Sequence, residues 1–125
     1  MIRVIQKPAL ALILSLAGAA SPAIAQRTVV EIDKIQAVNA LSGIVRDPSG
    51  APVPGATVAE VSQDGTLVKS TTTDQEGKFA IVPSAKKKVY DLKISLDPNF
   101  NPLIVHVRVS RWTKKLLDLK LQVST

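Results

Sequence analysis

The chain contains no cysteine, and its 125 residues include one histidine, one tyrosine, one tryptophan and two phenylalanines. Without cysteine there is no disulfide and no thiol nucleophile, so stability must come from an apolar core and strand pairing. A zinc or iron site that needs two histidines cannot be built. A Ser-His-carboxylate site would have to use His106, which its strand pattern places beside Arg108 on a solvated face. We therefore expect no catalytic residue, metal or cofactor, and no enzyme.

A long apolar run occurs once, at residues 9–20, and Arg3 and Lys7 precede it. Small residues follow at Ala23 and Ala25, in the layout of a secretory signal peptide cleaved after Ala25. The alternative is an uncleaved membrane anchor, but the run is shorter than the roughly 20 residues that span a bilayer. We expect residues 1–25 to be removed and the product to be periplasmic or secreted, without a transmembrane segment.

Residues 26–125 then form one domain's length of chain. Loss of Arg3 and Lys7 lowers the net charge of +6 by two, which leaves a mildly basic protein. Aromatic residues make up 3% of the chain, so no interleaved stacking platform for nucleic acid is present. We expect no nucleic-acid partner, and the oligomeric state stays open.

Short runs of alternating apolar and polar residues recur along the chain, and no window has a convincing helical period. The pattern predicts an all-β protein, a seven-stranded antiparallel Greek-key β-sandwich that occupies residues 41–125. Its strands are expected at residues 41–45, 56–62, 67–73, 78–82, 90–96, 103–109 and 117–123. Residues 26–40 fit neither period and are interpreted as an N-terminal extension that adds a strand or docks on the sandwich.

Residues that favour tight turns separate the first of these strands. At such positions the Asp side chain accepts hydrogen bonds from the backbone of the turn, Pro fixes φ near −65°, and Gly adopts positive φ without strain. The turn signals are Asp47-Pro48-Ser49-Gly50, Pro54-Gly55, Asp64-Gly65 and Asp74-Gln75-Glu76-Gly77.

Together, LSGIVRD at 41–47, GAPVPGATV at 50–58 and TDQEGKF at 73–79 resemble the carboxypeptidase regulatory-like domain. YDLKI at 90–94 and Phe100 continue the likeness. The resemblance implies the transthyretin-like (prealbumin-like) sandwich, a non-catalytic module of exported proteins. The family usually has a Pro-x-Gly turn before that Tyr, where this chain has Lys86, Lys87 and Lys88, so we expect a differently shaped loop.

Glu60 disturbs the alternation of its strand. If Ala56 and Val58 face inward, Glu60 does too, although Val61 is the better core residue. A β-bulge near Ala59 or Glu60 would resolve the conflict. The other interpretation is a buried functional carboxylate, and the sequence leaves both open.

The basic residues form two groups that are candidate ligand contacts. Trp112 lies within the second group and would make an amphipathic anchor beside cations. The alternative is that these charges keep the sandwich soluble and block edge-to-edge pairing. The candidates are Lys86, Lys87, Lys88, Arg108, Arg111, Trp112, Lys114 and Lys115.

These observations predict a non-catalytic exported β-sandwich for protein or cell-envelope interaction, or for structure. Its expected partner is an envelope protein or a cell-surface glycan. The alternative is a small carbohydrate- or lipid-binding module that uses Trp112 and its basic neighbours to contact anionic envelope material.

Overall fold

The computed structural model describes residues 2–7 and 27–124, and within these ranges the chain forms strands and no helix. Accordingly, no described helix is long and apolar enough to cross a membrane. The predicted apolar run of the signal peptide and the cleavage site after Ala25 lie outside the described residues. The strands are β1 (Ile2–Lys7), β2 (Arg27–Val38), β3 (Ser42–Arg46), β4 (Thr57–Val61), β5 (Leu67–Thr72), β6 (Lys78–Ala80), β7 (Tyr90–Ser95), β8 (Leu103–Val109) and β9 (Leu117–Lys120).

Two sheets pack on each other to form the sandwich. The larger has the order β1-β2-β8-β7-β4-β5, and the smaller has the order β6-β3-β9. Most neighbouring strands are antiparallel, but β2 runs parallel to β8 and β3 runs parallel to β9. β1 pairs antiparallel with the first half of β2, along the outer edge of the larger sheet.

The predicted all-β sandwich is confirmed, and each of the seven predicted strands has a counterpart among β3 to β9. The number of strands and the wholly antiparallel arrangement are wrong. Eight strands lie between Arg27 and Lys120, because most of the extension forms β2, and both sheets are mixed. β2 and β9 pair with strands that are distant in sequence, so no hairpin fixes their direction as antiparallel.

The apolar positions of the alternating strands meet between the two sheets. In β7 the buried positions are Tyr90, Leu92 and Ile94, whereas Asp91 and Lys93 are only partly covered on the opposite face. The same period of two holds in β8 and β9. The core is made of Val30, Val38, Leu41, Val45, Val53, Ala56, Val58, Phe79, Ile81, Tyr90, Leu92, Ile94, Leu103, Val105, Val107, Leu117, Leu119 and Leu121.

The predicted turns owe their shape to aspartates and glycines. The Asp74 carboxylate accepts hydrogen bonds of 2.9 Å from the backbone N–H groups of Glu76 and Lys78. Gly77 has φ of 74°, and a Cβ there would lie 2.6 Å from the carbonyl oxygen of Val45. A side chain at this position would therefore clash with β3 as well as strain the backbone.

Candidate functional site

Two basic loops lie at the same end of the larger sheet. The lysine loop (residues 81–89) leads into β7, and the tryptophan loop (residues 110–116) follows β8. Because β7 and β8 are antiparallel, with Tyr90 opposite Val107, the start of one strand lies beside the end of the other. All eight candidate contact residues therefore belong to one end of the sandwich.

The tryptophan loop projects an aromatic ring into solvent. The Trp112 side chain is 84% exposed, and Leu116 beside it is 59% exposed. The Arg111 guanidinium carbon lies 5.2 Å from the centroid of the Trp112 ring, within the range of a cation–π contact. Arg108, Lys114 and Lys115 are also exposed, so the loop combines apolar surface with concentrated positive charge.

Hydrogen bonds hold the base of this loop. Ser110 accepts from Thr113 N at 3.2 Å through its carbonyl and from Trp112 N at 3.3 Å through its hydroxyl. The Lys115 carbonyl accepts from Asn39 N, 3.2 Å away in the connection between β2 and β3. Trp112 is thus presented on a short turn anchored at both ends.

The lysine loop is tied to the interior of the protein. The Lys87 ammonium lies 3.5 Å from the carboxylate of Glu60, which has no exposed surface. The other oxygen of Glu60 accepts from Ser84 N at 3.2 Å, and the Ser84 hydroxyl contacts the same carboxylate at 3.3 Å. Tyr90 accepts from Lys87 N at 2.9 Å and donates to the Ala85 carbonyl at 3.1 Å. All three lysines are exposed, but Lys87 differs from Lys86 and Lys88 because its ammonium group pairs with a buried carboxylate.

Glu60 was expected either to lie near a β-bulge or to be a buried carboxylate, and both hold because β4 pairs differently with its two neighbours, β5 and β7. The pairing of β4 with β5 shifts between Glu60 and Val61, as a bulge near this position would require. The pairing of β4 with β7 runs without interruption, so the inward direction of Glu60 is kept. The extra residue, Val68, belongs to β5. Glu60 is both beside a bulge and buried, and its contacts are those of a loop anchor.

His106 is held between two carboxylates, an arrangement that the sequence analysis missed. Its Nδ1 lies 2.6 Å from Asp91 and its Nε2 lies 2.7 Å from Glu31. Burial alone would lower the pKa of His106. The hydrogen bonds to Asp91 and Glu31 and the negative charges of these residues outweigh burial, so the pKa is raised above its ordinary value. Only the strand register, with Asp91 opposite His106 and Glu31 beside it on β2, could have revealed this cluster.

Both ring nitrogens of His106 are occupied by carboxylates. Neither nitrogen is left to accept a proton from a serine hydroxyl, which is the step that a Ser-His-carboxylate site performs. Among the described residues no group of three or more His, Cys, Asp or Glu side chains is arranged to hold a metal ion.

Asp64 closes the turn between β4 and β5 at the same end of the sandwich. Hydrogen bonds from the Ser62 hydroxyl and from Thr66 lower the pKa of Asp64 to about 2. The Thr66 N–H donates to its carboxylate at 2.9 Å. The Asp64 carboxylate therefore accepts hydrogen bonds from residues of its own turn, as in an Asx turn.

A family model for the carboxypeptidase regulatory-like domain matches residues 40–122. The chain belongs to this family, whose domains are non-catalytic β-sandwich modules. The match confirms the resemblance carried by residues 41–79. None of the curated proteins compared with the chain matches it.

Proposed function

We propose that the protein is an exported, non-catalytic module that binds anionic material of the cell envelope through its tryptophan loop. In this proposal residues 1–25 direct export, and residues 26–125 act in the periplasm or outside the cell. The observation that carries the proposal is the exposed Trp112 ring, stacked with Arg111 and surrounded by cations.

The chemistry of the loop suits a surface that is apolar and negatively charged. A tryptophan ring is amphipathic and settles at the level of lipid head groups, while nearby Lys and Arg residues attract anionic lipids. The same set of groups would stack on a sugar ring and pair with its acidic substituents. The ligand is therefore a phosphate or carboxylate that lies beside apolar surface, in a lipid or in an acidic polysaccharide.

The absence of catalysis in this proposal is supported by how the polar groups are engaged. His106 has both nitrogens in carboxylate contacts, Glu60 is committed to Ser84 and Lys87, and Asp64 caps its own turn. A general base must be within reach of the proton that it removes, and in this proposal these three residues are held by partners within the protein instead.

The test compares binding to vesicles of phosphatidylcholine, vesicles that also contain phosphatidylglycerol, and soluble polygalacturonate. We expect the wild-type protein to prefer the anionic vesicles or the polysaccharide over neutral vesicles. The paired change Lys114→Gln and Lys115→Gln should weaken anionic vesicle binding about tenfold to thirtyfold, since each lysine near such a surface contributes about 1 kcal/mol. Trp112→Ala should weaken it by about tenfold or more.

The chain offers a matched control at the opposite end of the sandwich. Lys120 is exposed and lies opposite Arg46, at the end of β3 away from the tryptophan loop. Lys120→Gln should alter binding by less than about twofold, whereas Lys114→Gln alone removes the same charge and should weaken it about fivefold. Equal losses for Lys114→Gln and Lys120→Gln, or equal binding to neutral and anionic vesicles together with none to the polysaccharide, would contradict the proposal.

An envelope protein is the second candidate partner. Trp and Arg are the residues most enriched at the centres of protein interfaces, and here Trp112 and Arg111 stand together. Crosslinking in an envelope extract that captures one protein with the wild type, and loses it with Trp112→Ala, would favour this candidate over a lipid or glycan.

A further inference from the structure

A trough of about 410 Å³ lies on the outer face of the smaller sheet. Ser42, Ile44 and Arg46 line it from β3, Lys78 lines it from β6, and Leu116 lines it immediately before β9. The three β3 positions alternate with buried positions, so their side chains point away from the core. A space of this size suits a small molecule, since small-molecule sites occupy roughly 300–1,000 Å³.

The lining of the trough is mainly apolar. Ile44 and Leu116 contribute hydrocarbon side chains, and Gly43 contributes only backbone. Leu116 is 59% exposed, so a large apolar side chain borders the trough in contact with water. A hydrocarbon group that covers this surface is stabilised, because apolar area is removed from water on both partners.

The charged residues that line the trough are both cations, and they differ in how they are paired. Arg46 Nε donates to the Asp118 carboxylate at 3.2 Å, and its Nη1 donates to the Gly50 carbonyl at 3.1 Å. Lys78 is exposed and forms no ion pair with any residue in the described part of the chain. One uncompensated positive charge therefore borders an apolar trough, which suits a ligand with a single negative charge.

The strand register places this charge beside the apolar surface. Lys78 lies directly opposite Ile44 in the pairing of β6 with β3. Ser42 lies on the same face of β3, roughly 6–7 Å from Ile44 along the strand. Leu116 is level with Ser42, because the residues that follow them in the sequence are paired with each other. A ligand whose charge lies at Lys78 can therefore extend past Ser42 and Leu116, toward the tryptophan loop.

We propose that the trough binds a fatty acid, with its carboxylate beside Lys78 and its hydrocarbon chain over Ile44 and Leu116. A fatty acid joins one negative charge to one hydrocarbon chain, which matches one uncompensated cation beside an apolar surface. The proposal goes beyond the proposed function, because a dissolved fatty acid requires neither Trp112 nor the surface of an envelope.

Fatty acids of different length test the apolar part of the site. The full-length chain is expressed, and the purified protein is titrated by calorimetry with hexanoate, octanoate and decanoate below the concentrations at which they form micelles. We expect the affinity to rise about twofold to fourfold with each added methylene, where fourfold corresponds to complete burial. Equal affinity for the three acids, or no binding of decanoate, would overturn the proposal.

Two lysine variants test the charged part of the site. Lys78→Gln should weaken decanoate binding about threefold, and the binding that remains should depend less on salt. Lys69 is exposed on β5 in the larger sheet, and Lys69→Gln removes the same charge and should leave the affinity nearly unchanged. Equal losses for the two variants would show that decanoate responds only to net charge, which contradicts the proposal.

A variant that fills the trough locates the ligand. Ser42→Phe keeps the backbone hydrogen bond from residue 42 to the Ala40 carbonyl and places a large ring in the trough, so decanoate binding should be lost. NMR mapping of the wild-type protein gives the same information without a substitution. Decanoate should shift the amides of residues 42–46, 78–79 and 116–117. Wild-type affinity in a folded Ser42→Phe protein, or shifts confined to other residues, would overturn the proposal.

Two further measurements separate the fatty acid from other occupants of the trough. Anionic vesicle binding should persist in Ser42→Phe, because the tryptophan loop is unchanged. A protein that binds vesicles but not decanoate would overturn this proposal and leave the proposed function standing. Sedimentation velocity measures association, and a dimer of the wild type that Ser42→Phe abolishes would assign the trough to a second copy of the chain, against a fatty acid.

Discussion

The lysine loop and the tryptophan loop are similar in charge and lie at one end of the sandwich, yet the structure uses them differently. In the lysine loop, Ser84 and Lys87 contact the buried carboxylate of Glu60, and Lys87 N donates to Tyr90 at the start of β7, so the loop is tied to the interior. In the tryptophan loop, Trp112 and Leu116 face solvent, and the loop is anchored by backbone hydrogen bonds and by the Ser110 hydroxyl.

This difference shows that a run of basic residues does not by itself identify a binding surface. A cation whose partner is a buried carboxylate serves stability, because that carboxylate is costly to bury without a counter-charge. An exposed cation beside an exposed aromatic ring is available to a ligand. We therefore expect mutations in the two loops to separate stability from binding.

The largest effect on stability is expected from Glu60→Ala. The change removes the anchor of the lysine loop and leaves the Ser84 N–H and the Lys87 ammonium without their acceptor. Loss of a fully buried side chain together with its hydrogen bonds costs about 3 kcal/mol in the free energy of unfolding, measured by chemical denaturation. The exposed Glu76→Ala is the control and should stay within about 0.5 kcal/mol. A similar small change for Glu60→Ala would show that the loop is not anchored through this residue.

Three single substitutions within the lysine loop sharpen the comparison. Lys87→Ala should lower the free energy of unfolding by about 1–2 kcal/mol. The cost stays below that of Glu60→Ala because Ser84 still contacts the Glu60 carboxylate and water can reach the place of a side chain that is 39% exposed. Lys86→Ala and Lys88→Ala should each stay within about 0.5 kcal/mol. Equal effects at all three positions would mean that the contact between Lys87 and Glu60 contributes nothing specific.

His106 joins the strands from which both loops emerge, and its contribution depends on pH. The two carboxylates raise the pKa of His106 above 6.5 in the folded state, so folding favours the protonated ring. The stability difference between wild type and His106→Gln should be full just below pH 6.5 and should be lost as pH rises through the folded pKa. NMR titration of the imidazole provides the check, and a midpoint at or below 6.5 would contradict the described contacts.

The smallest effect on stability is expected at the residue with the largest effect on binding. Trp112→Ala removes a side chain that is 84% exposed, so the free energy of unfolding should change by no more than about 0.5 kcal/mol. Thermal denaturation measured beside the vesicle assay shows whether binding is lost from a folded protein. A large drop in stability would mean that Trp112 packs against the protein rather than serving a ligand.

The strands and turns followed from local sequence because alternation and turn residues act over a few positions. Glu60 was placed inward by the same alternation that placed Val58. The parallel position of β2, the role of Lys87 and the carboxylates around His106 could not be predicted, since each depends on residues brought together from distant strands. Glu31 and His106, for example, meet only through the pairing of β2 with β8.

The most direct test of the central claim is NMR mapping of the processed, isotope-labelled protein titrated with bicelles that contain phosphatidylglycerol. The account predicts the largest shifts at the Trp112 indole and at the backbone amides of residues 108–116, with much smaller changes in residues 81–89. Shifts concentrated in the lysine loop, or near Lys120 at the far end of β9, would contradict it.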